Sequence, residues 1–192
     1  MEERPMKTSR LARSLALLSA LALVAGLTLT STAGEGAPGT LEFKANNKMY
    51  SAHGKFESWH FTKVDIPDGN LEKGTVEFEV DLASVWEKAA QLADHLRTAD
   101  FFDVENFGTA TVKIHSAKKS GDAYEATATV SFHGHTNDVP VEFKVVSTDP
   151  LKIEGSASLD RVAFGIGQPY EEGNDRSIIQ NVAVMLSATV SE

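Results

Sequence analysis

His95 to Val104 reads HLRTADFFDV, and it separates two long runs of alternating, strand-like sequence. The paired rings of Phe101 and Phe102 stand in a short polar frame, and two bulky rings need an apolar environment. Their position distinguishes two predictions. In a sandwich with a filled core, one ring fills the core and the other stays half exposed, as single apolar residues often do. In a barrel, both rings guard the mouth of an apolar pocket.

A helix is predicted just before this stretch, where the period of the apolar residues changes. Ser84 and Glu87 fit a capping box, in which the hydroxyl and the carboxylate satisfy backbone N–H groups at a helix start. The apolar residues that follow at helical spacing are Val85, Ala89, Leu92 and Leu96. The sequence therefore predicts one helix over about residues 84–97, positioned to lie across one end of a barrel.

Strands are predicted on both sides of the helix, because apolar and polar residues alternate there between short turns. The predicted strands are 41–45, 55–66, 74–82, 110–115, 124–132, 139–145, 151–159 and 178–190. Eight consecutive antiparallel strands favour an all-β, up-and-down barrel with one inserted helix. Such a barrel is wide enough to hold one small ligand.

Small residues cluster on the inward face of two successive strands, at Ala126, Ala128, Gly155 and Ala157. They would leave room for a ligand in a hollow barrel. They would equally let neighbouring phenylalanines pack in a filled one. Composition leaves these two interpretations open.

Residues 1–33 have the layout of a secretory signal peptide. Basic residues precede an uncharged stretch rich in Leu and Ala, and the small residues Ser31 and Ala33 suit a cleavage site after Ala33. An uncleaved membrane anchor is the rival prediction, because the uncharged stretch is near the length that spans a bilayer. Cleavage would leave a linker, 34–40, and a barrel domain, 41–192, in the periplasm or outside the cell.

The charge and the cysteine content exclude several classes of function. The 192-residue chain has a net charge of −9, and the leader holds more basic than acidic residues, so the mature domain is more acidic still. An acidic domain repels phosphate backbones, which makes nucleic acid an unsuitable partner. The chain has no Cys, so thiolate chemistry and disulfides are excluded, and its stability must come from an ordinary core.

Two polar groupings are candidate chemical sites. His133 and His135 are two residues apart, and on a strand both would face one side, where a pair of imidazoles can bind a metal. The acidic loop around Glu171, Glu172 and Asp175 offers oxygen ligands for calcium, although a solvated loop explains it better. No serine-hydrolase or phosphate-binding motif is present, so the sequence predicts neither catalysis nor a cofactor.

A family resemblance rests on three motifs that occur in order. HLRTADFFDV is followed by Phe132–Thr136 (FHGHT) with Val139–Val141 (VPV), and then by Leu159–Ile166 (LDRVAFGI). Together they resemble the YceI family, the lipid- or polyisoprenoid-binding proteins of the bacterial periplasm and related compartments. The resemblance covers about residues 41–192. It implies a lipocalin-like antiparallel barrel whose interior holds a hydrophobic isoprenoid or another amphiphilic lipid, without catalysis.

Candidate ligand-binding residues follow from this function. A carrier of apolar chains needs an apolar lining, since each exposed methylene costs about 0.8 kcal/mol to hydrate. Arg161 is the candidate contact for a polar headgroup, with pairing to a carboxylate such as Asp160 or Asp175 as the alternative. The alternatives to lipid binding are a metal protein or metal-assisted enzyme using His133 and His135, or a filled-core stress or structural module. The sequence leaves open whether two copies of the chain form a homodimer. The predicted lining residues are Phe78, Val80, Phe101, Phe102, Val112, Ile114, Val130, Phe132, Phe143 and Phe164.

Overall fold

The computed structural model describes residues 37–191, and the leader lies outside this range. Ten strands and one α-helix make up the described elements. The helix, α1, spans Ala90–Arg97, and no helix of residues 37–191 is long and apolar enough to cross a membrane. The strands are β1 (Gly39–Asn46), β2 (Ser51–Phe56), β3 (Trp59–Asp65), β4 (Thr75–Asp81), β5 (Val85–Glu87), β6 (Thr109–Ser120), β7 (Ala123–Phe132), β8 (His135–Thr148), β9 (Leu151–Asp160) and β10 (Asn181–Thr189).

All ten strands belong to one antiparallel sheet, in the order β3-β4-β6-β7-β8-β9-β10-β1-β2-β5. The sheet curls around an apolar interior, which confirms the predicted lipocalin-like β-barrel with one inserted helix. The strand count was wrong, since ten strands replace the predicted eight. The predicted linker also ends early, because Gly39 and Thr40 already pair with Ala188 and Ser187 in the sheet.

One of the two additional strands comes from a corner at Glu57 and Ser58, and the other is β5. The sequence suggested one strand over residues 55–66, but the chain leaves β2 beside one edge of the sheet and enters β3 at the other. Backbone bonds hold this corner: Glu57 N donates to Ser84 O at 3.2 Å, and Asp81 N donates to Ser58 O at 3.0 Å. The two ends of the sheet order therefore meet here without a regular ladder.

The predicted helix start was wrong. Residues 84–97 do not form one helix: Ser84 ends a 3₁₀ turn, Val85–Glu87 is strand β5, and α1 begins at Ala90. Ser84 Oγ accepts a bond from Ser58 N and donates to Asp81 O, so its hydroxyl serves the corner. Val85 is almost fully buried and pairs with Phe56 in the sheet, and this tertiary contact overrides the local capping pattern.

The barrel has two distinct ends. The helix end carries α1 and the following segment, including Phe101, and it lies where β7 and β9 finish. The loop end, opposite, carries the β3–β4 loop (residues 66–74) together with the β6–β7 and β8–β9 turns. Two clusters of buried apolar residues pack on the inward faces, one around Trp59 and Phe78 and one around Phe43 and Phe102.

Candidate functional site

A cavity of about 280 Å³ occupies the barrel interior. Its walls come from most strands of the sheet, from α1 and from the β3–β4 loop, and they are almost entirely apolar. On one stretch of chain the lining runs from Val182 to Val190, a distance of about 27 Å at roughly 3.4 Å per residue. Because barrel strands tilt by about 40°, the cavity is roughly 20 Å long. The volume of the cavity lies near the low end for ligand sites. Because the cavity is also long, it must be narrow.

Nine of the ten predicted lining residues do line this cavity. Val112 and Ile114 are only half-buried although they point inward, because their exposed surface faces the hollow. Phe164 is the exception, since it packs within the core cluster around Phe102, 1% exposed and with its ring 6.0 Å from that of Phe132. The other nine are Phe78, Val80, Phe101, Phe102, Val112, Ile114, Val130, Phe132 and Phe143.

The two rings of the opening motif have different surroundings. Phe102 is buried and lies 5.5–6.3 Å from the rings of Phe43, Phe56 and Phe132, so it anchors the core while one face lines the cavity. Phe101 is half-buried and packs edge-on against exposed His95 at 5.0 Å. One ring is therefore buried in the core and the other is half exposed, as the first interpretation predicted, although both rings line the cavity of a barrel.

Arg161 lies in the cavity wall at the helix end and is 3% exposed. Its Nη1, Nη2 and Nε atoms donate to the backbone carbonyls of Ile166, Ile178 and Ile179, at 2.7, 2.6 and 3.2 Å. Burial lowers its pKa, and nearby Asp160 opposes that shift. The carbonyl bonds fasten the segment after β9 against the end of the barrel. Contact between Arg161 and a lipid headgroup stays a prediction. It depends on the guanidinium N–H groups that do not donate to these three carbonyls.

Asp160 stabilises the same region through its carboxylate. Oδ2 accepts from Gln180 Nε2 at 2.7 Å, and Oδ1 accepts from the backbone N–H groups of Val162 and Ala163 at 2.9 and 3.3 Å. The Gln180 bond, the two backbone bonds and the charge of Arg161 lower the pKa of Asp160, although desolvation opposes them. The second candidate partner of Arg161, Asp175, instead forms an ion pair with Lys48 at 2.9 Å.

A second polar pair lies at the helix end. Glu87 is 5% exposed; it accepts from Ala89 N and from the Tyr50 hydroxyl, the latter at 2.9 Å. The hydrogen bond to Glu87 raises the pKa of Tyr50. The pair ties the β1–β2 turn to the start of α1, close to the cavity but outside its lining.

The histidine pair does not assemble a metal centre. His133 has a left-handed φ of 51° in the turn after β7, and its ring packs on Phe107 at 4.6 Å with both nitrogens buried and unpartnered. His135 is exposed. Within residues 37–191, no group of three or more His, Asp or Glu side chains is arranged to hold an ion. The metal alternative therefore has no support in this geometry.

Sequence reasoning missed about three quarters of the wall, since nine of the 39 residues that line the cavity were predicted to do so. Alternation along β10 would have found Val182, Val184 and Leu186, and helical spacing already marked Leu92 and Leu96 as apolar. Ile66 and Leu71 carry no periodicity, because they belong to an irregular loop. Further lining residues that were missed include Leu41, Phe43, Ala45, Ala52, Phe56, Phe61, Val76, Leu82, Ala110, Val139, Val141, Leu151, Ile153, Leu159, Ile166, Ile178 and Val190.

Comparison with sequences gives a consistent assignment. The family model for the YceI-like domain matches residues 35–190. A UPF0312 protein of Pseudomonas aeruginosa is 29% identical over 140 residues, which cover 69% of this chain and 73% of its own. One from Vibrio cholerae is 28% identical over 141 residues, covering 69% and 74%.

Solved structures share the fold. BcnA of Burkholderia cenocepacia superposes with a TM-score of 0.70 at 18% identity, over 79% of this chain and 96% of that one. A polyisoprenoid binding domain from Saccharophagus degradans gives 0.54 at 14% identity, over 81% and 97%. At such identities the likeness shows a common fold alone. Because the family model spans most of the chain, as the motifs around HLRTADFFDV suggested, this protein belongs to the YceI-like domain family.

Proposed function

We propose that this protein binds and carries a hydrophobic chain, an isoprenoid or a similar amphiphilic lipid, without performing a chemical step on it. The observation that carries the proposal is the apolar hollow that runs the length of the barrel. A narrow hollow about 20 Å long suits an extended chain better than a compact ring system.

The energetics support a chain as the ligand. Each methylene moved from water into the hollow contributes about 0.8 kcal/mol, so affinity grows with the length of chain buried. The wall carries few polar groups, and Arg161 already donates to three carbonyls, so an apolar chain leaves little unsatisfied. The Saccharophagus degradans domain, described as polyisoprenoid binding, supports the same class of ligand through its shared fold.

The proposed function includes export of the protein from the cytoplasm. The leader would direct the chain to the periplasm or outside the cell, with cleavage after Ala33, where a carrier could shield a lipid from water. Intact mass of the protein recovered from its host should correspond to a chain that starts at Gly34. A mass that retains residues 1–33 would favour the membrane anchor.

Organic extraction of the protein purified from its own host, followed by mass spectrometry, tests the binding function. The wild type should release a prenyl or acyl lipid in near-stoichiometric amount. Val112→Trp should release much less, because the larger ring occupies the hollow. Thr111→Trp is the matched control, since it adds the same ring on the outer face of β6. A clean extract from the wild type, or equal loading of both variants, would contradict the proposal.

A further inference from the structure

A second hollow, of about 670 Å³, lies at the loop end of the barrel. It is bounded by the β3–β4 loop, the β6–β7 turn, the β8–β9 turn and the residue that follows β10. Unlike the first cavity, it has a mixed lining: Lys119, Asp122 and Thr148 face it together with apolar side chains and Tyr124. It therefore offers both water access and hydrogen-bonding groups.

The two hollows are adjacent to each other. Four apolar side chains, those of Ile66, Leu71, Leu151 and Val190, line both of them. One layer of side chains thus separates the apolar interior from the mixed hollow. Two of the four are fixed to the sheet, because Val190 N donates to Leu151 O at 2.8 Å. The other two belong to the β3–β4 loop.

The β3–β4 loop has few polar bonds to the barrel. Its backbone bonds, such as Gly69 N to Ile66 O and Gly74 N to Leu71 O, are internal to the loop. Glu72 supplies a hydrogen bond to the body, with its carboxylate accepting from Lys119 N at 3.0 Å. Ile66 and Leu71 are half-buried, so moving these two side chains apart breaks few apolar contacts.

The helix end offers a polar headgroup fewer hydrogen-bonding partners than the loop end does. Leu92, Leu96, Phe101 and Ile166 line the cavity there, and the guanidinium of Arg161 already donates to three carbonyls. A headgroup placed among these side chains would lose its hydration with few partners in exchange. A headgroup in the mixed hollow would keep water and meet Lys119 and Thr148.

We infer that the ligand binds in a fixed orientation, with its apolar tail toward α1 and its polar end group in the loop-end hollow beyond Leu71. The inference rests on the proposed function, and it replaces the predicted headgroup contact at Arg161. It adds the orientation of the ligand and its class: an amphiphile with a polar end, rather than a hydrocarbon. The β3–β4 loop is then the passage for the chain.

A farnesyl chain with a nitroxide on its alcohol end can test the orientation, because a nitroxide quenches a fluorophore only at short range. The chain has no cysteine, so Asp122→Cys and Asp100→Cys each provide a single labelling site. Both aspartates are exposed, the first at the loop end and the second beside Phe101. With a bimane label, quenching should be severalfold stronger at position 122 than at position 100.

Narrowing the passage provides the second measurement. Leu71→Trp should remove the quenching at position 122, whereas Lys73→Trp, on the exposed side of the same loop, should leave it unchanged. Stronger quenching at position 100, or equal quenching in both loop variants, would overturn the orientation while leaving chain binding intact. Failure of the probe to bind the wild type at all would overturn both the orientation and the proposed function.

Discussion

The charge state of Asp160 couples the stability of this fold to pH. Its carboxylate accepts three hydrogen bonds, and its pKa is lowered, first by Gln180. A group with a lowered folded pKa stabilises the protein above its unfolded pKa, about 3.9 for aspartate. That stabilisation is lost as the pH falls through the folded value.

Asp160→Asn should therefore remove one part of the acid sensitivity. Near neutral pH, the variant should lose about 1 kcal/mol in the free energy of unfolding, since an amide cannot reproduce the bonds to a charged oxygen. Its deficit should shrink below about pH 4. Urea denaturation at a series of pH values measures both effects. Asp100→Asn, in an exposed turn, is the control, and a deficit that persists in acid would contradict the assignment.

Single residues also show what the sequence could reveal about the site. Alternation correctly placed Val112, Val130 and Phe143 on the inner face, because a strand fixes the side of every second residue. Phe164, the one predicted lining residue that does not line the cavity, follows β9 in a 3₁₀ turn where that rule does not apply. The backbone bonds of Arg161 were beyond prediction too, because its acceptors lie in a loop of no regular pattern.

At the scale of elements, β1 and β2 depend on a close approach between a ring and a glycine. Gly54 pairs with Phe43 across the two strands. A Cβ at position 54 would lie 2.2 Å from Cζ of that ring, which is buried against Phe56 and Phe102. The glycine therefore makes room for an aromatic ring that lines the cavity.

Gly54→Ala should destabilise the fold by about 1–3 kcal/mol, the usual cost of overpacking a core. The ring must shift toward the cavity, so bound lipid should decrease as well. Gly108→Ala is the matched control, because its added Cβ would meet no atom closer than 3.7 Å. Urea denaturation compares the two, and equal free energies of unfolding would show that the ring moves without cost.

The elements around α1 show where local sequence rules fail. Ser84 and Glu87 have the spacing of a capping box, yet the hydroxyl binds across the barrel corner and the carboxylate binds Tyr50 and Ala89. Val85 is drawn into the sheet by burial. Contacts with residues distant in sequence determine the structure of residues 84–87. A pattern of four residues contains no information about such contacts.

At the scale of the whole molecule, the corner explains how a ten-stranded sheet encloses a cavity. The edges of the sheet are β3 and β5, and the short segment between β2 and β3 crosses from one side to the other. Ser84 joins the two sides there, since its Oγ accepts from Ser58 N at 3.0 Å and donates to Asp81 O at 2.6 Å. The hydroxyl thus completes the barrel wall.

Ser84→Ala should open this corner. The loss of two hydrogen bonds should lower the free energy of unfolding by about 1–3 kcal/mol, because each contributes roughly 0.5–1.5 kcal/mol. The altered corner should also release a bound prenyl chain faster, since the cavity wall includes Val80 and Leu82 beside it. Ser84→Thr keeps the hydroxyl and should restore both properties. If Ser84→Ala matches the wild type in urea denaturation and in lipid release, the backbone bonds of Glu57 and Asp81 suffice to close the barrel.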